Sequence, residues 1–353
     1  MPSFSTPIVL DGAHGEGSGA LLRTALQMAA LTQQPVKLVN IRSATQKPGL
    51  NSEDLTFIRA LARACQAETV DAEFGAHSLT FTPTRRIRSI NESVRIAEGD
   101  GEPGNAGALV VAHGLIPCLA RSGAYSAFTV TGETYGHNVL SFDYYSAVTL
   151  PALRRMGLYA TAQMASAGYG WGARGEVDVE VEPSVLSGVD WSTRGDVRES
   201  RGIVAYSGVQ PSVGARGVSH LENLARNYGL SLEAQAVETP SRTPGAYVTV
   251  WAECENGLGG ATCMGAKGMR IEAVAQRAFE GLRAWLESGM SVDPYLADQL
   301  LVPACLAEED VVYRAQTVTL RLQTMAWVIK QFLPIRLSIR GEIGKPGLIT
   351  VRK

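Results

Sequence analysis

The chain has 353 residues, 45% hydrophobic and 19% charged, which excludes an extended disordered protein and suits about two domains. A net charge of −2 and a pI near 6.3 exclude a protein that coats nucleic acid by charge alone, which needs many phosphate contacts, but are compatible with a local basic pocket for one strand end. Mean hydropathy is +0.02, yet no run of about 18 apolar residues occurs and the opening Met-Pro-Ser-Phe-Ser-Thr-Pro lacks basic and apolar signal regions, so no membrane span and a cytoplasmic location are expected.

Pro7-Ile8-Val9-Leu10 predicts a buried strand, and residues 11–19 (DGAHGEGSG) a glycine-rich turn. Leu21, Leu22, Ala25, Leu26 and Ala29 then recur at helical spacing. Val36 to Ile41 is the next predicted strand, and Asn51-Ser52 can cap a helix with Leu55, Ile58, Ala62 and Cys65 on one face. Strands are predicted near 68–73 and 78–82. A second glycine-rich loop, Gly99 to Gly107, opens a helix through Leu109, Ala112, Leu115 and Leu119. A strand at Phe128-Thr129-Val130 and a helix from Asp143 to Met156 follow. The same rhythm closes the chain, with helices at 270–288, 296–306 and 319–332 and strands at 310–315, 335–340 and 347–352. Repeated αβ units of this kind predict a layered α/β (α+β) domain with helices on one side of each sheet.

Residues 185–279 break the rhythm, with a strand at 203–209, a helix at 218–228 and strands at 230–237 and 246–252. They read as a small inserted αβ domain between the two parts of a large domain, 1–184 and 280–353. The five cysteines are scattered, without a CxxC pair, so they imply neither a disulfide framework nor a structural zinc site.

In the first glycine-rich turn, Gly15, Gly17 and Gly19 let backbone N–H groups approach a ligand, and the helix that follows favours an anion. Glu16 in that turn reads either as a solvated carboxylate or as a ligand for a metal ion that escorts phosphates. Arg23 and Arg42, with Lys47 in the turn Gln46-Lys47-Pro48-Gly49-Leu50, read as surface charges or as a phosphate clamp. Tyr295, Asp298 and Gln299 fall near a helix start, where an N-cap region with an exposed acid is the plainer reading.

DGAHGEGSGALLRTAL, VKLVNIRSATQKPGL, YLADQLLVP and a helix ending in QFLP stand in the order and spacing of the RNA 3′-terminal phosphate cyclases, which the whole chain resembles. Gly-Tyr-Gly-Trp-Gly-Ala-Arg-Gly (168–175) is similar to that family's glycine-rich strand before its inserted domain. The resemblance implies three βαβαββ-type repeats, each a four-stranded sheet backed by two helices, plus the small insert. It also implies a reaction: a histidine attacks ATP, AMP passes to an RNA 3′-phosphate, and the neighbouring 2′-OH closes a 2′,3′-cyclic phosphate. By the same resemblance Glu16, Arg23 and Arg42 match metal and phosphate ligands, Tyr295, Asp298 and Gln299 match nucleotide-side residues, and ATP with Mg or Mn would be the cofactors.

The match is uneven. Thr45 stands where the family has a second arginine, Glu53 where it has a glutamine, and Leu140-Ser141 where it has two prolines under the adenine. The aromatic on the adenine's other face falls in Gly260-Ala261-Thr262, which has none. The nucleophilic histidine, counted back from Phe332-Leu333-Pro334, lands on Arg321, and no histidine follows His220. A guanidinium stays protonated and has no lone pair with which to attack.

Of the five histidines, His14, His113 and His137 fall inside matched segments, and His14, Glu16 and His113 are candidates for a transition-metal site. His113 reads equally as a satisfied core residue and His14 as a turn residue. Three functional readings follow. The favoured one is a protein that binds an RNA 3′ end or its phosphate with a degenerate active site, as eukaryotic ribosome-assembly proteins of this fold provide precedent. The second is an ATP-dependent cyclase with another nucleophile, His14 or the RNA phosphate itself. The third is a different anion-binding transferase on a related fold, such as an enolpyruvyl transferase.

Overall fold

The computed structural model describes residues 6–97, 106–136 and 140–353. Most of the second glycine-rich loop and His137 lie outside the described residues.

The first repeat runs β1 (Ile8–Asp11), α1 (Gly19–Thr32), β2 (Val36–Val39), α2 (Ser52–Cys65), β3 (Glu68–Val70) and β4 (Leu79–Thr82). The second runs β5 (Ser93–Val94), α3 (Ala108–Ala120), β6 (Ser126–Gly132), α4 (Phe142–Tyr144), a π-helical turn (Tyr145–Thr149), α5 (Leu150–Arg155), β7 (Ala160–Ser166) and β8 (Gly175–Val181). The third opens with β9 (Val189–Trp191) and is then interrupted. The interruption holds β10 (Val197–Ser207), α6 (Pro211–Tyr228), β11 (Glu233–Glu238), β12 (Gly245–Cys254), β13 (Gly257–Met264) and α7 (Ile271–Ser288). The third repeat resumes with α8 (Pro294–Gln299), α9 (Leu301–Leu306), β14 (Val311–Ala315), α10 (Leu320–Phe332), β15 (Arg336–Arg340) and β16 (Gly347–Arg352).

The sheet orders are β1-β2-β4-β3, β5-β6-β8-β7 and β9-β14-β16-β15. In each, the first two strands are parallel and the other two pairings antiparallel. The sequence rhythm is thus one topology used three times. The small sheet, β11-β10-β12-β13, has its own apolar cluster, including Val204, Leu221, Val248, Phe279 and Trp285.

Three details differ from the pattern reading. β9, inside the 185–279 stretch, pairs with β14 of the third sheet, so the insert interrupts the third repeat instead of preceding it. The helix read at 270–288 as part of the closing repeat is α7, whose Val274, Ala278 and Leu282 pack in the small sheet's cluster. The helix predicted from Asp143 to Met156 carries the π-helical turn just before Pro151. Proline has no N–H to donate, and its ring would clash with the carbonyl four residues back, so the ladder shifts register there.

Four caps fix the elements that carry the candidate residues. Ser18 Oγ accepts from Ala20 N–H at the start of α1, and Thr319 Oγ1 from Leu322 N–H at the start of α10. Asn51 and Asp54 form a reciprocal capping box on α2. Asp293 Oδ1 accepts from Tyr295 and Leu296 N–H on α8, while its Oδ2 accepts from Tyr144 Oη (2.6 Å) and from Gly260 N–H of the insert (2.9 Å). One buried carboxylate thereby ties α8, the second repeat and the small domain together.

Candidate active site

A cleft of about 350 Å³ opens where the first turns of α1 and α10 meet α3, α8 and the small sheet. Two helix N-termini there give the wall a positive end. Arg23, Arg42, Asp298, Gln299, Tyr295, His113 and Arg321, all singled out in the sequence, line it, as does Gly19.

The glycine-rich turn is shaped by contact as well as by dihedral angle. Gly15 and Gly17 have φ of +60° and +59°, and a Cβ on Gly15 would lie 2.1 Å from Thr324 Oγ1. That close approach lets Glu16 N–H donate to Thr324 Oγ1 (3.0 Å). A Cβ on Gly19 would meet the guanidinium groups of Arg42 and Arg23, at 2.5 and 2.8 Å.

Glu16 points to Arg321. Arg321 Nε donates to Glu16 Oε2 (3.1 Å) and Nη2 to Oε1 (3.0 Å), and Ser18 Oγ also donates to Oε2 (2.9 Å). Partial burial pushes the Glu16 pKa up, but the bonds and charge of Arg321, with Ser18, outweigh it and hold the carboxyl below its ordinary value. Burial pulls Arg321 down while Glu16 more than restores it, so the guanidinium is held even more firmly protonated than usual.

Arg42 and Arg23 form a second cluster. Arg42 Nε and Nη2 donate to the two oxygens of fully buried Asp54 (2.8 and 3.0 Å), and Arg23 Nη1 donates to Glu53 Oε1 (2.8 Å). Glu53 Oε2 in turn accepts from Gly107 N–H (3.0 Å). Glu53 thus fixes Arg23 instead of presenting an amide to a phosphate. Arg42 has φ of +54°, an uncommon backbone for a residue with a side chain, and the Asp54 fork is what holds it. Of its five N–H donors, Asp54 takes two.

Lys47 corrects the three-cation clamp. It is not part of the cleft lining, and its Nζ lies 5.7 Å from the centre of the Trp171 ring. The turn after Arg42 closes tightly, with Thr45 Oγ1 donating to the Arg42 and Lys47 carbonyls, and Lys47 ends over Trp171.

The proposed metal triad is not assembled either. His14 stacks on Trp327 (centroids 3.9 Å apart), Glu16 is taken by Arg321, and His113 sits beside Tyr145. Among the described residues no group of three His, Cys, Asp or Glu side chains is placed to hold a metal ion. Loss of hydration pushes His113 down to about 4, so it is a neutral wall residue. With both Glu16 oxygens bonded to a guanidinium, this arrangement does not fit a Mg or Mn ion on that carboxylate.

Asp298 accepts from Thr319 Oγ1 (2.7 Å), and Gln299 Oε1 accepts from Thr149 Oγ1 in the π-helical turn. Burial pushes Asp298 up to about 7. The folded state therefore binds more protons than the unfolded chain between about pH 4 and 7, and this group's contribution to stability falls as pH rises through that window. Asp298→Asn should become more stable relative to the natural chain as pH rises across that window, with no further change above it. Urea unfolding at about pH 4.5 and 7.5 checks this, and an unchanged difference would contradict it.

Sequence reasoning found Tyr295 but missed two other tyrosines. Tyr144 and Tyr247 line the cleft with Tyr295, and Tyr144 and Tyr295 meet edge to face at 6.3 Å. Tyr247 Oη donates to Thr262 Oγ1 (3.0 Å), so the 260–262 segment without an aromatic has one on the next strand. The Tyr144-Tyr145 pair beside Leu140-Ser141 was the signal that could have shown it.

Residues 14–339 match the family model described as RNA 3′-terminal phosphate cyclase. A protein of that name from Nostoc punctiforme is 34% identical over 330 residues, covering 92% of this chain and 94% of its own length. Another from Methylococcus capsulatus is 31% identical over 349 residues, 98% and 96% of the two chains. A third from Methanopyrus kandleri is 31% identical over 358 residues, 98% of each. The enolpyruvyl transferase NikO from Streptomyces tendae superposes with a TM-score of 0.39 at 12% identity, covering 98% of this chain and 48% of that one, too loosely to bear on function.

Proposed function

Because the chain belongs to the RNA 3′-terminal phosphate cyclase family, we propose that it binds the phosphorylated 3′ end of an RNA without passing AMP through a residue of its own. The observation that carries this reading is the Arg321–Glu16 fork. One permanently charged side chain stands where the family resemblance puts the nucleophile, and it also takes up the carboxylate that would hold a metal. The terminal phosphate would meet Arg23 and Arg42, whose guanidinium groups line the cleft beside the first turn of α1. The tyrosine end would receive the terminal base.

Arg42→Ala should weaken binding of a 3′-phosphorylated oligonucleotide about tenfold or more, as expected for loss of a charge-assisted contact, and weaken the 3′-hydroxyl form much less. Fluorescence anisotropy with both oligonucleotides, on protein first checked for folding, reads the ratio. Equal loss for both would argue against a phosphate clamp.

The same tyrosine end favours a second reading, an ATP-dependent cyclase with a different nucleophile, because an adenine would also find an aromatic face there. His14, packed flat on Trp327, is one candidate, and direct attack by the RNA phosphate is the other. Location in the cytoplasm and a part in RNA processing belong to either reading. No helix among the described residues is long and apolar enough to cross a membrane.

A further inference from the structure

Single exposed apolar side chains are common on protein surfaces and need no explanation. Trp171 is a different case. It is 80% exposed, the most exposed large hydrophobic side chain among the described residues. It also sits on a turn that is pinned. Gly170 N–H donates to the Tyr135 carbonyl (2.8 Å) and Gly172 N–H to Glu133 Oε1 (3.0 Å). Gly170 and Gly172 adopt φ of +80° and +73°, and the preceding Tyr169 stacks on Tyr135 at 4.8 Å. The indole is therefore presented to solvent on a fixed support, with a cation, Lys47, 5.7 Å from its ring centre.

Both supports of this pair lead to the cleft wall. Lys47 ends the tight turn that starts at cleft-lining Arg42, and Tyr135 is followed by cleft-lining Gly136. The cleft, at about 350 Å³, is at the small end of single-ligand pockets, so a strand whose last nucleotide fills it must leave over the rim. An exposed ring with an adjacent cation is the combination that holds unpaired bases with little regard to sequence. We infer that Trp171 and Lys47 form an outer platform on which a nucleobase upstream of the RNA 3′ end stacks, with Lys47 meeting the backbone phosphate beside it. This inference rests on the proposed binding of an RNA 3′ end.

The test compares a 3′-phosphorylated hexanucleotide with a nucleoside 3′-phosphate, by calorimetry, on the natural chain, Trp171→Ala and Trp171→Phe. Trp171→Ala should weaken the hexanucleotide about tenfold and leave the nucleoside 3′-phosphate unchanged, and Trp171→Phe should restore most of the loss. A hexanucleotide that binds the natural chain and Trp171→Ala equally, or a loss shared equally by both ligands, overturns the platform and leaves the RNA-end reading standing. A natural chain that binds neither ligand overturns the RNA-end reading, and the platform with it.

Discussion

Asp54→Ala should destabilise the protein by about 3 kcal/mol, the low end of what breaking a buried ion pair costs. Asp54 is fully buried and receives Arg42 through two bonds, while Arg23 Nη1 lies 4.0 Å from its Oδ1. Its Oδ2 also accepts from Asn51 N–H, closing the capping box on α2. Alanine would leave the Arg42 guanidinium, only 16% exposed, without the carboxylate it is hydrogen-bonded to, and would cost half of the cap. Because Arg42 borders the cleft, water would reach it and keep the cost below the upper end of the range. Asp54→Asn keeps the shape and an acceptor but removes the charge, and should cost roughly half as much. Urea unfolding midpoints at constant slope check both values. A loss under about 0.5 kcal/mol for alanine would mean that the pair does not hold the strained Arg42 backbone.

The repeats were legible because a period of about 3.6 for helices and 2 for strands survives even where identity between copies is weak. The glycine-rich turn was legible for a similar reason. Gly15 is needed both for its positive φ and for the space that Thr324 occupies. What local pattern could not show is which distant side chains meet. Glu16 and Arg321 are 305 residues apart, and only the family resemblance put them in one site. Lys47 follows Arg42 by five residues and looked like its partner, but Thr45 folds the turn back and aims Lys47 at Trp171. His14 and His113 were grouped by matched segments, whereas packing settled them separately, one on Trp327 and one beside Tyr145. Tyr247 falls in a run of four buried residues on β12, on the face opposite Val248 and Val250, and only the position of the small sheet brings it to the cleft. The place of β9 in the third sheet was not legible because β9 is three residues long and its partner, β14, lies more than a hundred residues away.

The prediction with the largest expected effect concerns Arg321 itself. Nucleophilic transfer of AMP needs a side chain with a lone pair at the reacting phosphorus, and a guanidinium held protonated by Glu16 has none. Arg321→His would supply an imidazole at that position and release both Glu16 oxygens from the fork. The measurement is covalent labelling: protein with α-labelled ATP and magnesium or manganese, with and without a 3′-phosphorylated RNA, for the natural chain and Arg321→His. The natural chain should carry no label and return the RNA end unchanged, and label on Arg321→His would show that the rest of the adenylylating site survives. An AMP adduct on the natural chain, or a 2′,3′-cyclic phosphate on its RNA, would contradict the account of a protein that only binds the RNA end; a labelled residue would identify the nucleophile in use, and cyclisation without label would point to direct attack by the RNA phosphate.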